Sequence, residues 1–136
     1  MPSSEGTYTL LLHLAAPVER EVGALGSLAF PADWYAYTGS AFGPGGFARI
    51  DRHRRIAAGT ADTRHWHIDY LLAVCELRAV YTAADEPIEC AVAQNLPGDR
   101  LAGFGASDCQ CESHLVHTPN EAPLRQALER HYGQPR

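Results

Sequence analysis

Two tyrosines, an arginine, a histidine and a glutamate form a set in this chain that could act on a phosphate. Tyr8 lies in the first apolar run, just after Gly6 and Thr7. Tyr37 lies in a second aromatic run, Tyr35-Ala36-Tyr37, which ends in Thr38-Gly39-Ser40. Arg49 follows that turn, His53 comes four residues after Arg49, and Glu89 stands far downstream. Hydrolysis of a phosphodiester needs an oriented water, a base, and positive charge at the phosphate. A phenol, with its usual pKa of ~10, can be that base only if a nearby cation favours its ionised form. The planar arginine fork matches phosphate oxygens, and glutamate is a natural oxygen ligand for Mg²⁺. A spacing of four on a helix puts Arg49 and His53 on one side, where His53 could orient Tyr37 or contact phosphate. The plainer reading of the same residues is two core tyrosines and a surface acid.

Charge supports a phosphate-bearing ligand at one face. The chain of 136 residues has a formal net charge of -5, which argues against a general nucleic-acid coat. All 11 basic residues are arginine. Five of them (Arg49, Arg52, Arg54, Arg55 and Arg64) fall between residues 49 and 67, against only Asp51 and Asp62, and His65 and His67 lie in the same stretch. A local basic stripe on an acidic body suits a phosphate backbone. Arg52, Arg54, Arg55, Arg64, His65 and His67 are therefore candidate nucleic-acid contacts. A solvated arginine-rich helix face is the commoner meaning of such a cluster.

Two further groups carry metal-type donors. His65-Trp66-His67-Ile68-Asp69 has the alternating histidines of some dinuclear zinc hydrolases, but Tyr70 stands where that pattern needs a histidine. Cys109, Cys111, His114 and His117 are zinc donor types, and Cys90, beside Glu89, could complete a structural zinc set with Cys109, Cys111 and His114. The one-residue gap between Cys109 and Cys111 is a poor bite for such a site. Buried thiols beside hydrogen-bonded histidines are the simpler account. The first residues show no secretory pattern, and no apolar run approaches the ~20 residues of a membrane helix. A cytoplasmic chain is expected, with thiols or metal ligands in preference to a disulfide framework.

The elements that must position these groups can be read from periodicity and punctuation. Residues 7–15 and 34–38 read as strands. Residues 17–30 read as a hairpin or irregular connection, and 40–46 as a glycine-rich loop. A helix is predicted over 47–58, ended by Gly59, with Phe47, Ile50, Arg54 and Ala57 on one side. A short helical turn over 67–72 and a strand over 75–82 follow. A helix opening at Asp85-Glu86-Pro87 is expected next, because acids and proline suit a first turn. A loop over 98–111, with Ser107-Asp108 forming a turn, leads to a strand near 114–117 and a helix from Asn120 to about Tyr132. This order predicts one domain of α/β (α+β) class, with a small central mixed β-sheet flanked by helices.

Gly6-Thr7-Tyr8, Tyr37-Thr38-Gly39, Arg49, His53 and a later helix carrying Glu89 resemble the GIY-YIG nuclease superfamily. The longer phrases YTGSAFGPGGFARIDRHRR, HWHIDYLL and GFGASDCQCESHL are similar to a small GIY-YIG-like domain that occurs alone in archaea. A similar domain is fused to endonuclease III-like repair enzymes in some bacteria. The likeness runs from Gly6 to Leu115. It implies a metal-dependent endonuclease acting on DNA, structure-specific and linked to repair. Tyr8, Tyr37, Arg49, His53 and Glu89 would be catalytic, with one Mg²⁺ or Mn²⁺ ion on Glu89. A repair glycosylase or an endonuclease III-like enzyme would be a partner. The chain departs from the pattern in Thr7 and Thr38, read as structural, and in a longer loop through Gly43-Pro44-Gly45-Gly46. The rival readings are a non-catalytic nucleic-acid-binding module on the same fold and a small zinc metallohydrolase.

Overall fold

A computed structural model describes residues 5–42, 45–61, 67–101, 104 and 113–135. Among them are strands β1 (Gly6–His13), β2 (Val18–Glu21), β3 (Ser27–Phe30), β4 (Trp34–Ser40), β5 (Glu76–Ala84), β6 (Asp99–Arg100) and β7 (Leu115–Thr118). The helices are α1 (Ala48–Ala57), α2 (His67–Leu72), α3 (Glu89–Asn95) and α4 (Glu121–Tyr132). Five strands form one sheet in the order β5-β1-β4-β7-β6, while β2 and β3 pair as a separate hairpin. Every pairing in the main sheet is antiparallel, which corrects the expectation of a mixed sheet. The class is α+β.

The continuous apolar run of β1 follows from burial on both sides. Tyr8, Leu10 and Leu12 point to one face and join Tyr35, Tyr37, Val80 and Leu115 from the neighbouring strands. Ile50 and Ile56 of α1 and Ile68, Leu71 and Leu72 of α2 cover that face. Leu11 points the other way, with Ala36, Tyr81 and Val116, and packs under Val92 of α3 and Leu124 and Leu128 of α4. Alternation along a strand therefore sends each tyrosine of the candidate site towards α1.

Threonines tie the second layer to the sheet, and Thr7 and Thr38, read as structural, both take part. Thr7 donates to the Glu86 carbonyl at 2.6 Å and accepts from the Ile88 N–H at 3.1 Å. That clamp holds residues 86–88 outside the helix, and Asp85 turns at a φ of 62°. So α3 begins at Glu89, four residues later than the acids and proline suggested. Thr9 bridges Thr38 at 2.9 Å and the Tyr132 hydroxyl at 2.7 Å, fixing the end of α4. Asn120 stands at the expected cap position of α4 without a side-chain capping bond.

On α1 the inward side carries Ile50, His53 and Ile56. Arg54, on one helical side with Ile50 by spacing, is exposed, because His53 takes the buried position one residue earlier. Arg52 also departs from expectation. Its guanidinium makes two hydrogen bonds to Asp69, at 2.9 and 2.7 Å, joining α1 to α2. Asp69 is wholly buried and Arg52 is 22% exposed. This arginine is committed to the fold, which removes it from the phosphate-contact set.

Removing one partner of a buried pair leaves an uncompensated charge, at a cost of about 3–5 kcal/mol. Arg52→Ala is therefore expected to lower unfolding free energy by roughly 3 kcal/mol in urea denaturation, Arg52 being partly exposed. A loss below about 1 kcal/mol, the worth of an exposed pair, would show that the bridge does not hold the two helices together.

Candidate functional site

Four of the five expected site residues meet at one end of the sheet. The start of β1 and the end of β4 pair there, with Tyr8 opposite Gly39 and Leu10 opposite Tyr37. A Cβ built on Gly39 would stand 2.5 Å from the Tyr8 hydroxyl and 2.6 Å from its ring. Any other residue would therefore push the phenol out of place. Gly39 is the floor on which Tyr8 lies, a role that the triplet's spacing alone does not reveal.

The Tyr8 hydroxyl is 2.8 Å from His53 Nε2, a buried hydrogen bond between β1 and α1. The two ring centroids are 5.5 Å apart, and Tyr8 and Tyr37 are 6.5 Å apart. His53 thus partners Tyr8; the alternative expectations, that it orients Tyr37 or touches phosphate, are replaced. Its ring is fully buried, which rules out direct contact with a ligand in this conformation.

Arg49 leaves the first turn of α1 and donates to the Ser40 carbonyl at the end of β4. Its guanidinium also lies near Tyr8, favouring the ionised phenol through charge and hydrogen bonding. Burial is the stronger influence, and with Tyr37 it raises the Tyr8 pKa well above the ordinary phenol value. Tyr37 is raised too, by burial first and then by the charge of Glu89. Both are neutral phenols near pH 7. Burial drives His53 the other way, down to about 4, against the opposing pull of Asp69. The Tyr8–His53 bond therefore joins two neutral groups.

Glu89 approaches from the second layer. It opens α3, whose Val92 and Ala93 are buried on the opposite side of the sheet from Tyr8. Its carboxylate nevertheless acts on Tyr8 and Tyr37, because the helix starts at the same sheet end. Glu89 Oε1 is 3.6 Å from His114 Nε2, and Cys90 Sγ is 3.9 Å from that nitrogen. His114 is held by its carbonyl, which accepts from the Thr38 N–H at 3.0 Å. Glu89, Cys90 and His114 place one ligand atom each within 4.8 Å of one another, a grouping able to hold a metal ion. Sequence reasoning had Cys90 and His114 as zinc donors and Glu89 as a separate magnesium ligand. The adjacency of Glu89 and Cys90 was the available clue.

Cys90 is disulfide-bonded, which corrects the expectation that the cysteines are thiols. Cys75 fits that expectation: it is a free, buried thiol, and burial pushes its pKa up to about 12. Cys109, Cys111, Arg64, His65, Trp66 and the Ser107-Asp108 turn lie outside the described residues. The zinc-hydrolase pattern at His65, His67 and Asp69 finds no support among the described residues. Both Asp69 oxygens bond Arg52, and His67 packs against Phe104 with centroids 5.5 Å apart. Arg54 and Arg55 are exposed on α1, as a phosphate contact requires.

Compared with known proteins, the chain matches the family described as Domain of unknown function DUF123 over residues 7–134. It belongs to that family, and the matched span takes in Tyr8, Tyr37, Arg49, His53, Glu89 and His114. No curated protein and no solved structure matches it.

The neutral state of His53 has a measurable consequence. An imidazole whose folded pKa is depressed takes up its proton more readily in the unfolded chain. The stability it confers is complete above its ordinary pKa of ~6.5 and is lost as pH falls towards about 4. The full loss is on the order of 3 kcal/mol. The His53 imidazole signals in an NMR titration should stay unchanged from pH 7 to 5.5. His53→Gln should show a smaller drop in melting temperature over the same acid range. A His53 midpoint near 6.5 would contradict the buried neutral pair.

Proposed function

We propose that this chain is a metal-dependent endonuclease of GIY-YIG type, cutting DNA phosphodiester bonds at structured sites during repair. The observation that carries the reading is the Tyr8–His53 hydrogen bond of 2.8 Å, laid across Gly39 and flanked by Arg49. A phenol resting on a bare glycine, with an imidazole on its hydroxyl and a guanidinium beside it, is costly as packing and useful as chemistry. The words "DNA" and "repair" come from the family resemblance; the residues themselves supply phosphate chemistry.

The proton movements follow from the two neutral groups. Water attacks phosphorus and gives its proton to the Tyr8 oxygen, while the Tyr8 proton passes to His53 Nε2. The P–O bond to the leaving sugar oxygen breaks, and that oxygen takes a proton from solvent. Burial holds the His53 pKa down to about 4, so the imidazolium forms only in passing, favoured by the charge of Asp69, and gives its proton up to solvent as the leaving oxygen takes one. Arg49 stabilises the charge that gathers on the non-bridging oxygens. Glu89 would hold a divalent cation, Mg²⁺ or Mn²⁺, which when bound adds charge neutralisation at the phosphate. Tyr37 belongs to the same buried cluster as Tyr8, with Phe104 behind it at a centroid distance of 6.2 Å.

Incubation with branched, nicked and flapped DNA, with Mg²⁺ or Mn²⁺ against a chelator control, tests the activity. The parent is expected to cut at least one of these with metal and none without. Arg49→Ala should slow single-turnover cleavage by about 10²-fold or more, as the loss of an oxyanion donor does. Tyr8→Phe should slow it while leaving DNA affinity in place, and Glu89→Gln should raise the metal concentration required. If all three cut as fast as the parent, the site is misassigned. If the parent binds DNA yet cuts no substrate, the chain is a binding module.

The exposed arginines give a separate measurement. Each phosphate contact contributes close to one unit to the salt dependence of binding. Arg54→Ala and Arg55→Ala should each reduce the slope of log affinity against log salt by about one. Salt-independent binding would place the phosphate elsewhere than α1.

A further inference from the structure

The donors around Glu89 are softer than a magnesium site needs. Carboxylate, imidazole and sulfur stand together, where Mg²⁺ prefers oxygen ligands and retained waters. Zinc bonds of about 2.0–2.3 Å in a tetrahedron put neighbouring ligand atoms roughly 3.4–3.6 Å apart. The 3.6 Å between Glu89 Oε1 and His114 Nε2, and the 3.9 Å between Cys90 Sγ and His114 Nε2, need little adjustment to reach that. Two rigid placements supply the trio. Glu89 and Cys90 open α3 behind the Thr7 clamp, and His114 is fixed by the bond from Thr38 to its carbonyl. The His114 side chain is 4% exposed and that of Glu89 25%, so the cluster is walled on one side and open on the other. Among the described residues the cluster offers three protein ligands, the number a reactive zinc centre uses, whereas closed structural sites use four.

One feature blocks the site as it stands: Cys90 is disulfide-bonded, and a disulfide sulfur lacks the thiolate charge that zinc binds. We propose that reduction of the Cys90 disulfide opens a Zn²⁺ site made by Glu89, Cys90 and His114, so that the redox state of Cys90 selects the metal held at this sheet end. In the oxidised chain Glu89 is left to a hard cation. In the reduced chain the thiolate and imidazole draw zinc, and Glu89 goes with them. The reducing step balances with a phosphine. The phosphine attacks one sulfur, the S–S bond breaks, and water supplies the oxygen of the phosphine oxide and the protons of two thiols. Zinc then displaces the Cys90 proton. Zinc binding stands independently of DNA cleavage; only its effect on cleavage rests on the nuclease reading.

The test is metal binding without DNA, on the full chain in two states. Oxidised protein and protein reduced anaerobically by a phosphine are titrated with Zn²⁺ against a chromogenic chelator, and with Co²⁺ for sulfur-to-metal charge-transfer absorption. Reduction should tighten zinc binding by at least about 100-fold, since losing even an outer partner of a ligand costs about 10–100-fold. The reduced chain should bind one equivalent and give the near-ultraviolet cobalt band. Cys90→Ser and His114→Ala, each reduced, should lose that gain, and Cys90→Ser should lose the band. Equal zinc affinity in both redox states of the parent would overturn the proposal, and this comparison needs no variant to fold. A reduced Cys90→Ser variant that binds zinc like the parent would overturn it as well. A chain that binds zinc as described but cuts no DNA would sink the nuclease reading alone.

Discussion

A single buried hydrogen bond, from the Tyr8 hydroxyl to His53 Nε2, sets the conditions for the rest of the site. It spans β1 and α1 at a depth where unpaired polar groups cost on the order of 1–3 kcal/mol each. Both partners must be present, and both rest neutral, since a lasting charge at that depth would find too little water. The upward shift of the phenol and the downward shift of the imidazole are two results of this one constraint. Gly39 is bound by it as well, because a methyl group there would occupy the space of the phenol. The motif residues on three elements are thus different sides of one contact.

The same contact sorts the arginines of α1. With His53 turned inward, a helical period sends Arg54 and Arg55 to solvent, while Arg52 reaches sideways to Asp69. Arg49, one turn earlier, spans to Ser40 and stays beside Tyr8. The four arginines of α1, which read as uniform positive charge, therefore divide by geometry into one beside Tyr8, one bonded to Asp69 and two at the surface. Burial of Asp69 makes this division firm: its carboxylate needs a bidentate partner, and Arg52 supplies it.

Much of the fold was readable because its signals are local. Apolar runs, glycine stops and the order of elements gave β1, β4, α1, α2, β5 and α4 to within a few residues. The misreadings share a cause, which is contact between distant segments. Asp85-Glu86-Pro87 has the composition of a helix start, yet Thr7, nearly eighty residues away, captures Glu86 and Ile88 before the helix can begin. Spacing groups Arg54 with Ile50 on one helical side, yet Tyr8 selects His53 for the buried place beside Ile50 and Ile56. The direction of strand pairing leaves no mark in a short run of β-branched and aromatic residues, so the all-antiparallel sheet was not legible. Of the site, the residue types and order were legible, while the partnership of His53 with Tyr8 and of Glu89 with Cys90 and His114 was not.

The topology explains why groups from both layers can work together. The β1 start, the β4 end, the β5 end and the β7 start all lie at one end of the sheet, because each neighbouring pair is antiparallel. The chain leaves β4 there for α1 and leaves β5 there for α3, so the first turns of helices on opposite faces come to the same edge. Tyr8 and Tyr37 face one layer and Glu89 belongs to the other, yet the carboxylate reaches both phenols electrostatically over that edge. A ligand seated at the edge could meet Arg49 from one layer and Glu89 from the other without opening the core. The sheet separates the two halves of the site, and its end is where they meet. The proposed chemistry would therefore fall where a buried phenol pair and a more open carboxylate are neighbours.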